Sequence, residues 1–274
     1  MTATKLTLNE KQWQSFCKIL QGLSRQCFDA DIIDGVIRQR ANDTSAIFEV
    51  DITSMLDSSS FPIPSIKDHL ALLKDLAGQV TIERGQNKVV FFDAVSPYTL
   101  PVANRKYLDN KFMSEQELDS ILQSHPQRTT PLIRYIIEKT NLKRIRMALA
   151  TFHAKSYKVV LDNNFAFLSL KQGDAKSKGS NVSMEVIKNI PLSQRATGHM
   201  YLSASPYKGF DYDGGIVWEI YKTENSVISK HYWSIGDVTA TVYTRGVINN
   251  DPPELPQQSE EKTEKTLETP ETKK

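Results

Sequence analysis

The chain has 274 residues, 39% of them apolar and 24% charged, with a net charge of +2 and a mean hydropathy of −0.40. That is enough folded, water-compatible sequence for two domains, and no run approaches the roughly 20 apolar residues that cross a bilayer. The opening M-T-A-T-K-L-T-L-N-E has no apolar signal core, so a cytoplasmic protein is expected (of the host cell, if viral), with Cys17 and Cys27 as buried free thiols.

The first predicted helix spans 9–23, with Asn9 as N-cap and Trp13, Phe16, Leu20 and Leu23 as its core stripe. Lys11, Gln14 and Lys18 lie on the opposite side. Strands are expected at 34–40 and 46–52, joined by the polar turn Asn42-Asp43-Thr44-Ser45. A second helix over 65–77, stopped by Gly78, buries Ile66, Leu70 and Leu73 and turns Lys67 and Lys74 outward. A hairpin of 79–83 and 88–92 across Gly85-Gln86-Asn87 follows.

Residues 97–131 read as a proline-marked connector carrying one short helix, 114–123, with Ser114 and Glu117 as a capping box. Beyond it come a strand at 132–137 and a helix at 141–153. In that helix Leu142, Ile145, Leu149 and Phe152 share a face, while Lys143, Arg144 and Arg146 sit outside it and Lys139 just before it. A cationic helix back attracts a polyanion, although a plain solvated face has the same composition. A hairpin of 157–161 and 165–170 across Asp162-Asn163-Asn164, strands at 181–190 and 199–202, a weak helix at 203–210 with Lys208, and strands at 215–221, 226–234 and 237–245 complete the body. The domain reading is therefore 1–96, the connector 97–131, 132–248, and a disordered tail 249–274 with seven acids against four lysines.

No catalytic constellation emerges: there is no phosphate-cradling glycine loop and no G-x-S-x-G elbow, and five scattered histidines lack ligand spacing. Asp29, Asp31 and Asp34, or Asp211 and Asp213, are read as turn aspartates rather than a metal site. An enzyme is not expected, nor a cofactor.

The two halves share an order: helix, strand pair, strand, helix, strand pair. Three segments carry a resemblance. Residues 27–56 have a D-G-V strand, a polar turn and an apolar strand. Residues 61–100 have the helix I-K-D-H-L-A-L-L-K-D-L-A followed by V-T-I-E and K-V-V-F-F, and 139–170 repeat helix then hairpin. In these the chain resembles the DNA sliding clamps, ring-shaped processivity factors of polymerases, and looks most like the two-domain clamps of large tailed phages. The connector helix, the acidic tail and a second-half helix interrupted by Pro206 and Gly209 depart from that pattern.

The resemblance implies an α+β fold of two similar domains, each with helices packed on antiparallel sheet, and head-to-tail closure of three copies into a ring. It implies inter-subunit pairing of edge strands, with 88–94 and 181–188 as candidates. It places Lys11, Lys18, Lys67, Lys74, Lys139, Lys143, Arg144, Arg146 and Lys208 toward the phosphates of double-stranded DNA, without base readout. A partner-peptide groove would lie among Ala41, Leu100, Val102, Tyr107, Leu108 and Tyr243. Implied partners are a DNA polymerase, a clamp loader and the chain itself as a homotrimer, with no membrane. Two rivals stand beside this reading. One is a single-stranded nucleic-acid binder using Tyr221, Tyr232, Trp233 and Tyr243 near Lys222, Lys230 and Arg245. The other is a virion structural protein of duplicated β-rich domains.

Overall fold

The computed structural model describes residues 4–102, 104–122, 130–171, 183–210, 214–223 and 226–249. The tail beyond 249 and the Asp211 and Asp213 pair lie outside them. Helices pack on two antiparallel sheets, an α+β arrangement.

The first half runs β1 (Thr4–Leu8), α1 (Glu10–Leu23), β2 (Ala30–Ile33), β3 (Val36–Arg40), β4 (Ile47–Asp51), α2 (Thr53–Leu56), β5 (Phe61–Ile63), α3 (Ile66–Asp75), β6 (Val80–Arg84), β7 (Lys88–Phe92) and β8 (Pro97–Pro101). A short 3-10 turn, Arg105–Tyr107, leads to α4 (Glu115–Leu122). The second half comprises β9 (Ile133–Ile137), α5 (Lys139–Phe152), β10 (Ser156–Lys171), β11 (Ser183–Ser203), α6 (Ser205–Gly209), β12 (Ile216–Lys222), β13 (Val227–Ile235) and β14 (Val238–Asn249). Among the described residues no helix is long and apolar enough to cross a membrane.

The small sheet has the order β1-β6-β7-β8, the large one β10-β11-β9-β12-β13-β14-β4-β3-β2-β5. The large sheet passes from one half of the chain to the other where β14 pairs antiparallel with β4, from Thr239 opposite Asp51 to Tyr243 opposite Ile47. The core is likewise continuous across this joint: Phe48 lies 5.8 Å from Phe210, which lies 4.8 Å from Trp233.

Several elements differ from the sequence expectation. Asp34 and Gly35 do not extend a strand; both have positive φ, 50° and 72°, and form the two-residue turn between β2 and β3, where Ile33 pairs with Val36. Residues 157–170 are not a hairpin. Asp162, Asn163 and Asn164 lie within one strand, with register shifts between Asn163 and Phe165 and on to Ser169. Asn163 has φ 55°, so a bulge absorbs the polar run without reversing the chain. The described part of the strand expected at 181–190, from 183 on, and the strand expected at 199–202 are both parts of β11. The connector's first residues form β8, which pairs with β7. Strand β7 thus has neighbours on both sides, so 88–94 cannot supply a free edge.

Candidate nucleic-acid interface and the seam between the halves

Helix α1 starts where the sequence places its cap: the Asn9 side chain accepts from Gln12 N and Gln12 Oε1 from Asn9 N, both at 3.0 Å. The cap fixes the rotation that buries Trp13, Phe16, Cys17, Leu20 and Leu23 and leaves Lys11 and Lys18 exposed, two turns apart. Helix α3 lies alongside. Trp13 Nε1 donates to Leu76 O at 3.1 Å, and Lys74 Nζ donates to Gln21 Oε1 at 2.7 Å. Lys67 and Lys74 are exposed at the same two-turn spacing on α3. Four lysines therefore stand on one helix pair.

On α5, Leu142, Ile145, Ala148 and Leu149 are buried, and Lys139, Lys143 and Arg144 are exposed. Arg146 is placed otherwise. Its Nε donates to Tyr207 O at 3.0 Å and its Nη2 to Phe210 O, so the guanidinium ties α5 to the end of α6. From the other half Arg25 Nη1 donates to Gly209 O at 2.9 Å. The expectation that Arg146 faces a phosphate is corrected accordingly: a helix only five residues long, holding Pro206, leaves carbonyls that a guanidinium satisfies. Lys208 on α6 is exposed, although partial desolvation lowers its pKa, with Asp43 acting in the opposite sense.

The thiols of Cys17 and Cys27 are buried and free, and burial pushes each up to about 12. Asp29 accepts from Ser65 N at 2.8 Å and Asp109 N at 2.7 Å, Asp31 pairs with Arg105 at 2.7 Å, and Asp34 accepts from Ser60 Oγ at 3.1 Å. These aspartates hold backbone and connector in place. Tyr221, Trp233 and Tyr243 are buried, and the Tyr232 hydroxyl donates to Glu219 at 3.3 Å, so they offer no open stacking platform for bases.

The seam where β14 meets β4 carries its own apolar cluster: Ile47, Tyr221, Ile228 and Tyr243 from the sheet, covered by Met113, Leu118 and Leu122 from the connector. Beside it opens a groove of about 1200 Å³, lined among others by Phe28, Ala41, Asn42, Thr44, Phe112 and Ile121. Of the six groove residues expected from sequence, Tyr243 belongs to the seam and Ala41 lines the groove. Leu100 is in the core, Val102 packs against it, Leu108 is buried, and Tyr107 is 74% exposed beneath Lys106. The sequence reading missed Ile47, Ile228, Leu118 and Leu122; the one local signal was the i, i+4 leucine pair of the connector helix.

Comparison with solved structures decides the fold. The chain is similar to a PCNA of Entamoeba histolytica, Proliferating Cellular Nuclear Antigen, with TM-score 0.60 and 10% identity over 91% of this chain and 100% of that one. It is similar to a chain of the PCNA2-PCNA3 complex from Sulfolobus tokodaii, with TM-score 0.55 and 12% identity over 90% and 100%. It also resembles A. fulgidus PCNA with the C-terminal region of FEN-1 bound, with TM-score 0.56 and 8% identity over 89% and 98%. The fold is that of a DNA sliding clamp. No family model matches the sequence, and no curated protein matches it. Helix α1 packs beside α3, α5 packs on β10 and β11, and the seam joins the halves where β14 pairs with β4.

Proposed function

We propose that the chain is a sliding clamp: a non-catalytic scaffold whose copies close into a ring around duplex DNA and hold a polymerase on its template. The observation that carries this reading is the set of exposed lysines and arginine on three helices, Lys11 and Lys18 on α1, Lys67 and Lys74 on the adjoining α3, and Lys139, Lys143 and Arg144 on α5. Attraction of such charges to the phosphate backbone is indifferent to sequence, so it permits sliding, whereas a bidentate base contact of about 1–3 kcal/mol would arrest it.

Ring closure needs two complementary unpaired edges. Among the described residues β8 pairs only with β7, and the 183–190 stretch of β11 pairs only with β10. We take these as the joint, which moves the first-half edge from 88–94 to β8. A homotrimer follows if each joint turns a third of a circle. Size-exclusion with light scattering should give three times the 31.0 kDa protomer mass. The protein should also extend synthesis by its cognate polymerase on a primed circular template when a loader and ATP are present. A monomer at all concentrations, with no effect on synthesis, overturns the proposal.

A further inference from the structure

Strand β11 changes partner part-way along its length. Ala196 and Thr197 stand opposite Asn163 and Asp162 of β10, Pro191 stands opposite Phe165, and between them Leu192 pairs with Ile133 of β9. Pro191 has no N–H to give to a ladder, and Asn189 shortly before it turns the chain with φ 55°. Among the described residues 193–195 have no ladder partner. Their frame is nonetheless fixed. Ser193 N donates to Leu132 O at 3.0 Å, Ser193 Oγ to Pro131 O at 2.7 Å, and Leu132 N to Ile220 O at 2.7 Å.

A pocket of about 270 Å³ opens at this break. Leu132 and Leu161, both buried, give it apolar walls, and Gln194, Arg195, Thr197 and Lys222 give it hydrogen-bond donors. The two cations come from different strands, Arg195 from the break in β11 and Lys222 from the end of β12. Among the described residues no carboxylate lines the pocket, and neither charged side chain has an ion-pair or hydrogen-bond partner. Asp162 stands opposite Thr197 in the ladder, and its Oδ1 accepts from Asn163 Nδ2 at 3.0 Å. Glu219 of β12 is already held by Arg134, Tyr221 and Tyr232.

We propose that this pocket binds a small phosphorylated ligand, its phosphate held by Arg195 and Lys222 and the rest of the molecule against Leu132 and Leu161. A guanidinium grips two phosphate oxygens at once and an ammonium adds a second point charge, so a dianion gains more than a single carboxylate does. Pockets for small molecules start at about 300 Å³, so this one suits a ligand of nucleoside-monophosphate size and is too small for a helix of a partner protein. None of its lining residues lies on α1, α3 or α5, and the site stands whether or not the chain closes into a ring.

Calorimetric titration of the full chain at fixed ionic strength, with inorganic phosphate, adenosine 5′-monophosphate and adenosine as probes, tests this. The monophosphate should bind and adenosine should not. Inorganic phosphate binding as tightly assigns the site to free phosphate, and weaker or absent binding of it assigns the site to a nucleotide. Arg195→Gln and Lys222→Gln alter exposed side chains and should each weaken binding about ten-fold. Lys143→Ala/Arg144→Ala removes two cations from α5 instead and should leave binding unchanged. Melting curves give a second readout: the bound probe should raise the melting temperature of the unmodified chain and not that of Arg195→Gln/Lys222→Gln. Four outcomes overturn the proposal. Neither phosphate probe binds up to about 10 mM; adenosine binds as tightly as its monophosphate; the pocket variants bind as the unmodified chain does; or the α5 variant loses binding equally, which would assign it to positive charge in general.

Discussion

Gly22 of α1 lies against the ring of Phe210 with no room for a Cβ between them. The contact locks the first half's longest helix to the residue that follows α6, and Phe210 cannot retreat because Phe48 and Trp233 enclose it. Gly22→Ala gains up to about 1 kcal/mol of helix propensity. Overpacking an enclosed ring costs ~1–3 kcal/mol, so the steric effect wins. The urea midpoint should fall with unchanged m-value; a raised midpoint would mean that the ring moves aside freely.

His231 is fully buried, its Nε2 3.0 Å from the Tyr207 hydroxyl and its ring stacked on Trp218. Burial pushes its pKa down to about 3 from the ordinary 6.5. The folded value lies below the unfolded one, so this contribution is present above pH about 6.5 and is lost as pH falls from there toward 3, by up to about 1.4 kcal/mol per pH unit. His231→Gln keeps a partner for Tyr207 and cannot take the proton. Its urea midpoints should decline less between about pH 6.5 and 4 than those of the unmodified protein.

Arg146 and Lys143 stand one turn apart on α5 with different roles. Arg146→Ala strips charge-assisted bonds from the carbonyls of Tyr207 and Phe210, at about 1.5–3 kcal/mol each, and should lower the melting temperature. Lys143 is exposed, and Lys143→Ala should leave melting nearly unchanged. On the DNA reading Lys143→Ala lowers the slope of log affinity against log salt by about 0.9, whereas Arg146→Ala leaves it unaltered. Filter binding across a salt series on duplex DNA separates the two.

Arg105 secures the connector by bonds to the Asp31 carboxylate at 2.7 Å and to Ile32 O at 2.9 Å. Asp31 is buried, and desolvation raises its pKa even with the guanidinium beside it. Arg105→Gln leaves that carboxylate without its cation and should cost ~1–3 kcal/mol. Asp31→Asn in the same chain should recover part of the loss, and a double-mutant cycle of urea midpoints reads the coupling. Strict additivity would assign no interaction to the pair.

Local signals were legible where a residue acts on its own few neighbours. Asn9 and the Ser114–Glu117 box cap the helices expected of them, and the Gly85-Gln86-Asn87 hairpin closes with Gly85 N donating to Lys88 O at 2.9 Å. Asp34-Gly35 reads as strand because apolar residues follow it directly, although two consecutive positive-φ residues mark a turn. Asp162-Asn163-Asn164 erred the other way: a turn-like run became a bulge because β11 offers a partner along the whole of β10. Arg146 reads as an outward cation until α6 is placed beside it, and the seam exists only once β14 has found β4. Sequence periodicity gives which face of a helix is apolar, not which distant strand that face will meet.

That late partner has a consequence during synthesis. The residues of β4 leave the ribosome long before Val238–Asn249 do, yet in the finished sheet β14 covers the side of β4 that β3 does not. Throughout translation of the second half the nascent chain therefore carries an open β edge, the kind of surface that recruits chaperones or a neighbouring polysome's product.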